Sequence, residues 1–308
     1  MNILGISGLL GYVLWWLFEF TNNYGLAIIL FSVTINLLMF PFTVKARKSM
    51  LSSSRISKKQ TELKKKYAND NKKYNEEIAK LYEREGVNPA SGCLPQLVNM
   101  VVMLSMFGTI LNPLQNILHI SADKIRQAAD MLNTIPGIGS TFDMRYAEIS
   151  VIKAFPYLKN HLTMFSVQEA QDIMEFNAGF NFFGIDLLSS PIKSSFWSFL
   201  WIIPVLHAVI SIASQYIMQK MNGTQNQMQG CMKYTMYLMP LMFIYITFIA
   251  PTALGVYYIV GGLIALLQNL ITGHFYSVAK INAKQEAQRV VLLEKEESQI
   301  RQGTPKDF

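Results

Sequence analysis

Charge is what this sequence has least of. Only 15% of its 308 residues are Asp, Glu, Lys or Arg, against 51% that are hydrophobic, whereas soluble chains carry roughly 25% charged residues. The charges also crowd into a few segments and leave long stretches with none, which excludes an ordinary soluble domain. Cysteine is scarce as well. Cys93 and Cys231 are too few for a disulfide framework, and both fall beside proposed cytoplasmic ends of spans, where they are expected to be reduced and structural. The four histidines, His119, His161, His207 and His274, are scattered, with no spacing that would hold a metal. A phosphate-binding glycine loop and a Gly-x-Ser-x-Gly elbow are missing too, so neither an enzyme nor a cofactor is expected. The start has no basic stretch, small-residue cleavage site or early cysteine, so no removable signal peptide or lipid anchor is expected.

What is there is a series of apolar runs. Crossing the hydrocarbon takes roughly 20 apolar residues as a helix. Five segments qualify, at 23–44, 94–111, 196–217, 234–250 and 254–273, and none carries a Lys, Arg, Asp or Glu from Tyr24 onward. That lack of intramembrane charge counts against an ion-coupled transporter. The last two runs are separated only by a turn around Pro251 and predict a helical hairpin. Residues 1–22 are apolar but hold Gly5, Gly8 and Gly11 and the pair Trp15-Trp16. Tryptophan prefers the headgroup level, so an interfacial helix is expected there. The fold class that follows is an all-α integral membrane protein.

Lys and Arg set the orientation. Residues 45–93 contain 13 of the 27, and Lys220, Lys233 and six in the tail bring one side to 21. Residues 112–195 hold six against eight acids. The 45–93 segment, the 218–233 loop and the 274–308 tail are therefore expected in the cytoplasm, with the N-terminus and 112–195 outside. The net charge of +7 is then a membrane bias, and no nucleic-acid partner is expected. Trp197 and Trp201 fall at the same outer level as the N-terminal tryptophans. Residues 45–68 and 72–86 read as charged helices joined by Asn69-Asp70-Asn71, with Tyr74, Ile78, Leu81 and Tyr82 as an apolar stripe. The 112–195 segment is long for a loop and predicts helix near 121–133 and a turn at Pro136-Gly137.

The spans also carry uncharged polar residues at helical spacing. Ser32 and Asn36 share a face of the first, Gln96 and Asn99 of the second, His207, Ser211 and Gln215 of the third, and Gln268 and Thr272 of the fifth. Each alone fits a helix–helix hydrogen bond of roughly 0.6–2 kcal/mol. Four such faces together point to a shared wet recess. Gly261-Gly262 and Ala265 are read as helix-packing residues.

Four ordered stretches carry a resemblance. LLMFPFTVKARKSM ends the first span. KKYANDNKKYNEEIAKLYEREGVNPASGCLP covers the charged hairpin, FNFFGIDLLSSP precedes the third span, and MPLMF with APTALGVYYIVGGLIALLQNLI forms the last two. Together they resemble the YidC branch of the YidC/Oxa/Alb insertase family across nearly the whole chain. The resemblance implies five core helices around a polar groove open to cytoplasm and lipid and closed outside. Its clients are nascent membrane proteins, whose hydrophilic tails cross in the groove while their apolar segments pass into lipid. On this reading Ser32, Asn36, Gln96, Asn99, Ser211, Gln215, Tyr258 and Gln268 line the groove. It further implies a bacterial plasma membrane, with a Sec translocon, a targeting factor and the ribosome as partners.

Departures from the family pattern accompany the match. The family carries a basic residue on its first core span, and alignment on LLMFP puts Asn36 there. Lys58 stands where the family has proline, Asn99-Met100-Val101 where it favours Gln-Met-Pro, and Gly262 where Asn is common. The outer segment is longer than in most relatives. A diverged assembly factor of the same fold and a small-solute transporter remain the alternatives.

Overall fold

The computed structural model describes residues 5–68, 70–85, 94–135, 146–158, 163–195, 197–222, 231–275, 287, 290–295, 297 and 298. Within these ranges the side chains of residues 46, 48–58, 85, 94–99, 158, 222, 231–237 and 239 are not described. The turn expected at Pro136-Gly137, both cysteine side chains and most of the tail lie outside the described residues.

Helix follows helix along the chain: α1 (Ile6–Thr21), α2 (Tyr24–Lys66), α3 (Asn71–Glu85), α4 (Leu94–Leu111), α5 (Pro113–Asn116), α6 (Ala122–Thr134), α7 (Ala147–Leu158), α8 (Val167–Ala178), α9 (Ile202–Asn222), α10 (Cys231–Ile249) and α11 (Thr252–Phe275). The one sheet among the described residues pairs Asn181–Phe182 (β1) with Ile185–Asp186 (β2). Phe183 and Gly184 both have positive φ, the two-residue turn that matches strand twist. By length and composition, Tyr24–Lys45, Phe199–Met221 and Thr252–Phe275 are able to cross a membrane, and Ile6–Thr21, Met100–Leu111 and Pro240–Ile249 are shorter apolar stretches. Their outer faces are apolar and bare. Leu37 (66% exposed), Val209 (60%), Ile212 (60%), Leu241 (57%) and Leu267 (56%) would meet water in a soluble protein, and only lipid accommodates so much exposed apolar surface. The chain is an all-α integral membrane protein.

Two features depart from the sequence reading. The first span and the first arm of the charged hairpin are one helix of 43 residues, about 65 Å long. No glycine interrupts 26–66, Pro41 costs one backbone hydrogen bond without ending the helix, and Lys64, Lys65 and Lys66 suit its negative C-terminal end. The third span begins later than residue 196. A 3₁₀ turn over Phe199–Trp201, with the Leu200 N–H donating to Ser198 Oγ, leads into α9 at Ile202.

The elements of 112–195 gather at one end of the bundle. Phe176 lies edge-on to Phe18, Tyr24 and Phe180, with ring centroids 4.8–5.2 Å apart. This joins α8 to the α1–α2 corner, where the Tyr24 N–H donates to Gly179 O. Helices α6 and α8 are tied by Lys124 and Glu169, 2.7 Å apart, while Glu169 also completes a capping box with Ser166. The first N–H groups of α11, which have no partner inside their own helix, are taken up here. Thr252 donates to Ser189 O at 2.9 Å and Ala253 to Leu187 O at 3.0 Å. Lys153 holds this strand by binding Asp186 at 3.1 Å and Ser189 Oγ at 2.6 Å. Helix α1 sits at the same end, since Thr109 Oγ1 donates to Ser7 O and Phe18 packs over Gly179.

Three glycines set how closely α9 and α11 pack. A Cβ on Gly255 would collide with Ile203, one on Gly262 would lie 2.9 Å from Ile210, and one on Gly273 would collide with Met221. Each glycine lies 52 positions after its partner (203 and 255, 210 and 262, 221 and 273). Helices α9 and α11 therefore run parallel, in register along their whole length. Of the expected pair Gly261-Gly262, the second is the one that packs, because a side chain on Gly261 would meet nothing within 4 Å among the described residues.

Candidate polar site of the helix bundle

Besides the Ser7–Thr109 contact of α1 and α4, polar side chains of the described residues gather at two places in the apolar part of the bundle. The first is between α2 and α11. Ser32 is fully buried and donates to Ile28 O at 2.7 Å, and half-buried Asn36 donates from Nδ2 to Ser32 O at 2.8 Å. Gln268, 9% exposed, reaches across from α11 and donates from Nε2 to the backbone carbonyl of Asn36 at 3.0 Å. One turn on, Thr272 donates to Gln268 O. Residues four apart on each helix thus place their polar atoms along a single seam.

The second place lies among α9, α10 and α11. Thr247 donates its hydroxyl proton to Ile244 O, which leaves its oxygen to accept from His207 Nδ1 at 3.3 Å. That network assigns the histidine tautomer with the proton on Nδ1. The His207 ring stacks on Tyr258, centroids 5.2 Å apart and 11° from parallel.

Of the residues singled out from sequence, Ser32, Asn36 and Gln268 come together at the first place, and Tyr258 belongs to the second. Ser211 and Gln215 lie one and two turns beyond His207 on α9, both half-buried. The side chains of Gln96 and Asn99 lie outside the described residues. Thr247, on α10, joins His207 and was not anticipated, since no second polar residue marks its face at helical spacing.

Arg47 was also missed. Its place in the run of basic residues after Val44 made it look like one more solvated charge. Instead it is 5% exposed, and neither Nε nor Nη2 has a hydrogen-bond partner among the described residues. Its Nη2 lies 3.1 Å from where a Cβ on Gly273 would be, so the ends of α2, α9 and α11 close around it with Met221. Burial lowers its pKa from the ordinary arginine value. The signal was available in the spacing. Arg47 is 11 residues, or three helical turns and about 16 Å, beyond Asn36, on the same face of α2. Charges buried without a partner are rare because they cost several kcal/mol. Among the described residues no three His, Cys, Asp or Glu side chains cluster.

Polar groups held at apolar depth by helices with lipid-suited outer faces define a class, that of helical membrane proteins with a polar interior. Within it, the chain belongs to the 60Kd inner membrane protein family, whose model matches residues 16–279. Among similar proteins, the membrane protein insertase YidC of Treponema denticola is 27% identical over 256 residues, 82% of this chain and 35% of that protein. The same-named protein of Fusobacterium nucleatum is 25% identical over 250 residues, 81% of this chain and 86% of the relative. That of Syntrophobacter fumaroxidans reaches 40% identity over 96 residues, 31% of this chain and 17% of its own length. The chain thus spans about a third or less of the length of several curated relatives it matches.

Proposed function

We propose that this chain is a membrane protein insertase of the bacterial plasma membrane. It carries the hydrophilic tail of a client through a polar groove between its helices and releases the client's apolar segment into lipid. Helices α2, α4, α9, α10 and α11 are the five spans, and α1 lies along the outer interface. The α3 end faces the cytoplasm, in accord with its 13 Lys and Arg residues, and the 112–195 end faces outward. Asn36, Ser211, Gln215 and Tyr258 line the groove, while Ser32 and Gln268, read from the sequence as groove-lining, are buried in the α2–α11 seam and hold the groove wall together.

The observation that carries this reading is the asymmetry of the two ends. At the outer end, α11 is stitched to 187–189 by backbone hydrogen bonds, and an aromatic cluster fills the α1–α2–α8 corner. At the other end α2 runs on past the bilayer as a charged helix backed by α3, with Gln60 Nε2 donating to Tyr82 Oη at 2.7 Å. A polar path sealed outside and open inside admits a tail from the cytoplasm without leaking ions through the membrane. Each charged residue of that tail otherwise costs roughly 2.5–3.5 kcal/mol at the bilayer centre. A hydrated groove shortens the dry part of the path. The client's own apolar segment then drives the transfer as it enters lipid, at about 25 cal/mol per Å² buried, so no nucleotide is consumed. The similarity to proteins named membrane protein insertase YidC supports the same reading. Residues 45–86 receive the emerging chain or its targeting partners, with the ribosome and a Sec translocon as further partners.

The direct test is replacement of the endogenous insertase in depleted bacterial cells. Restored growth and restored insertion of a single-span client are expected. A chain that reaches the membrane in normal amount yet inserts no client contradicts the reading and leaves the assembly-factor alternative.

A further inference from the structure

We propose that Arg47 is the binding point for the phosphate of an anionic phospholipid in the leaflet on the α3 side. The proposal rests on the membrane reading of the bundle but not on insertase activity. The two guanidinium nitrogens without partners among the described residues are Nε and Nη2. These form one edge of the fork, with two N–H bonds pointing the same way, which matches two oxygens of a phosphate. The depth fits as well. The uncharged run of α2 ends at Val44, and Arg47 lies within the next turn, where headgroup phosphates sit.

The surroundings supply an opening. Gly273 leaves room beside the guanidinium, and Met221, whose methyl end fills that room, is the most pliable of apolar side chains. A turn of its side chain uncovers the donor edge between α9 and α11. The need for an anion is also permanent, because the chain's own helices bury Arg47. A phospholipid phosphate is always at hand there, and basic recesses between helices on the cytoplasmic side are suited to such headgroups. An acidic client residue arrives only in passing.

The full-length chain in neutral detergent, examined by native mass spectrometry during titration with phosphatidylglycerol, tests this. The unaltered protein is expected to retain one phosphatidylglycerol at least tenfold better than Arg47→Gln, with Arg47→Lys in between, since lysine keeps the charge but not the fork. Phosphatidylcholine is expected to bind both proteins alike, and excess inorganic phosphate to leave the lipid in place. Equal retention by folded Arg47→Gln overturns the proposal. Displacement by inorganic phosphate assigns the site to a free anion and overturns it too, as does displacement by an acidic-tailed client segment. Should Arg47→Gln not fold, Arg47→Lys decides: a several-fold loss is expected, and undiminished retention overturns the assignment.

Discussion

Gln268 donates a hydrogen bond to the backbone carbonyl of Asn36, 3.0 Å across the α2–α11 seam, while the Asn36 amide turns along its own helix to Ser32 O. The bond falls just before Pro41, which cannot donate to Leu37 O and so leaves α2 one internal bond short in this region. An uncharged amide therefore ties α2 to α11 close to that missing bond. Gln268→Leu removes that tie without creating a cavity. Its expected cost is about 1 kcal/mol, in the range of interhelical hydrogen bonds in membranes, measured by denaturant unfolding in mixed micelles. A cost near zero would show that the bond is made only at the expense of others.

The parallel seam of α9 and α11 makes unequal demands on neighbouring glycines. Gly255→Ala drives a methyl into Ile203 and is expected to destabilise the bundle by about 1–3 kcal/mol. Gly261→Ala has open space and is expected to be neutral or slightly stabilising. Pairing Gly255→Ala with Ile203→Val, which deletes a methyl group facing the seam, should recover part of the loss. Thermal unfolding of the two single variants and the pair checks this.

Glu148, 5% exposed at the foot of α7, accepts the Gln115 N–H at 3.0 Å. Burial pushes its carboxyl up from 4.5 to about 7, offset in part by the backbone N–H groups of Gln115 and Leu114. A raised carboxylate pKa means the folded state holds the proton more tightly than the unfolded one. Its contribution is thus fully present below about 4.5 and lost as pH rises through about 7. The 112–195 segment should lose stability across that window, by at most about 3 kcal/mol. Hydrogen exchange of the α5 and α7 amides between pH 4.5 and 8 is expected to show the slope, and Glu148→Gln to abolish it.

Asn36→Arg places a cation where the resemblance expects one. Asn36 is half-buried and the new side chain has length enough to reach polar surroundings. Insertion of clients with acidic tails is expected to be unchanged or improved in reconstituted vesicles. Loss of insertion would mean that Asn36 is packed against its neighbours and does not line a groove.

The long apolar helices at 24–44 and 254–273 could be read from the sequence because a bilayer sorts charge, and both runs are free of it. The continuity of α2 could not, since Lys45 marks a change of solvent but not of backbone, and helix-forming residues continue to Lys66. The choice of Gly262 over Gly261 depends on the rotation of α11 against α9, which no local pattern encodes. The hairpin around Phe183-Gly184 has strands of only two residues, too short for any alternation to show. The polar faces at Ser32–Asn36 and Gln268–Thr272 were legible from their spacing. That they meet each other, while His207 meets Thr247 and Tyr258 instead, follows from tertiary packing alone. Arg47 was hidden by its basic neighbours.

The central claim is that the polar faces open on water. Single cysteines at Asn36 and Gln215, in a protein whose Cys93 and Cys231 have been replaced, test it when probed with a membrane-impermeant thiol reagent from the α3 side. Only the thiolate reacts, and hydrocarbon keeps a thiol protonated. Cysteines at the lipid-facing positions Leu37 and Ile212, 66% and 60% exposed, serve as the contrast. Rapid labelling is expected at 36 and 215 and none at 37 and 212. Equal protection at all four positions would mean a dry, packed bundle, and the groove would have no physical basis.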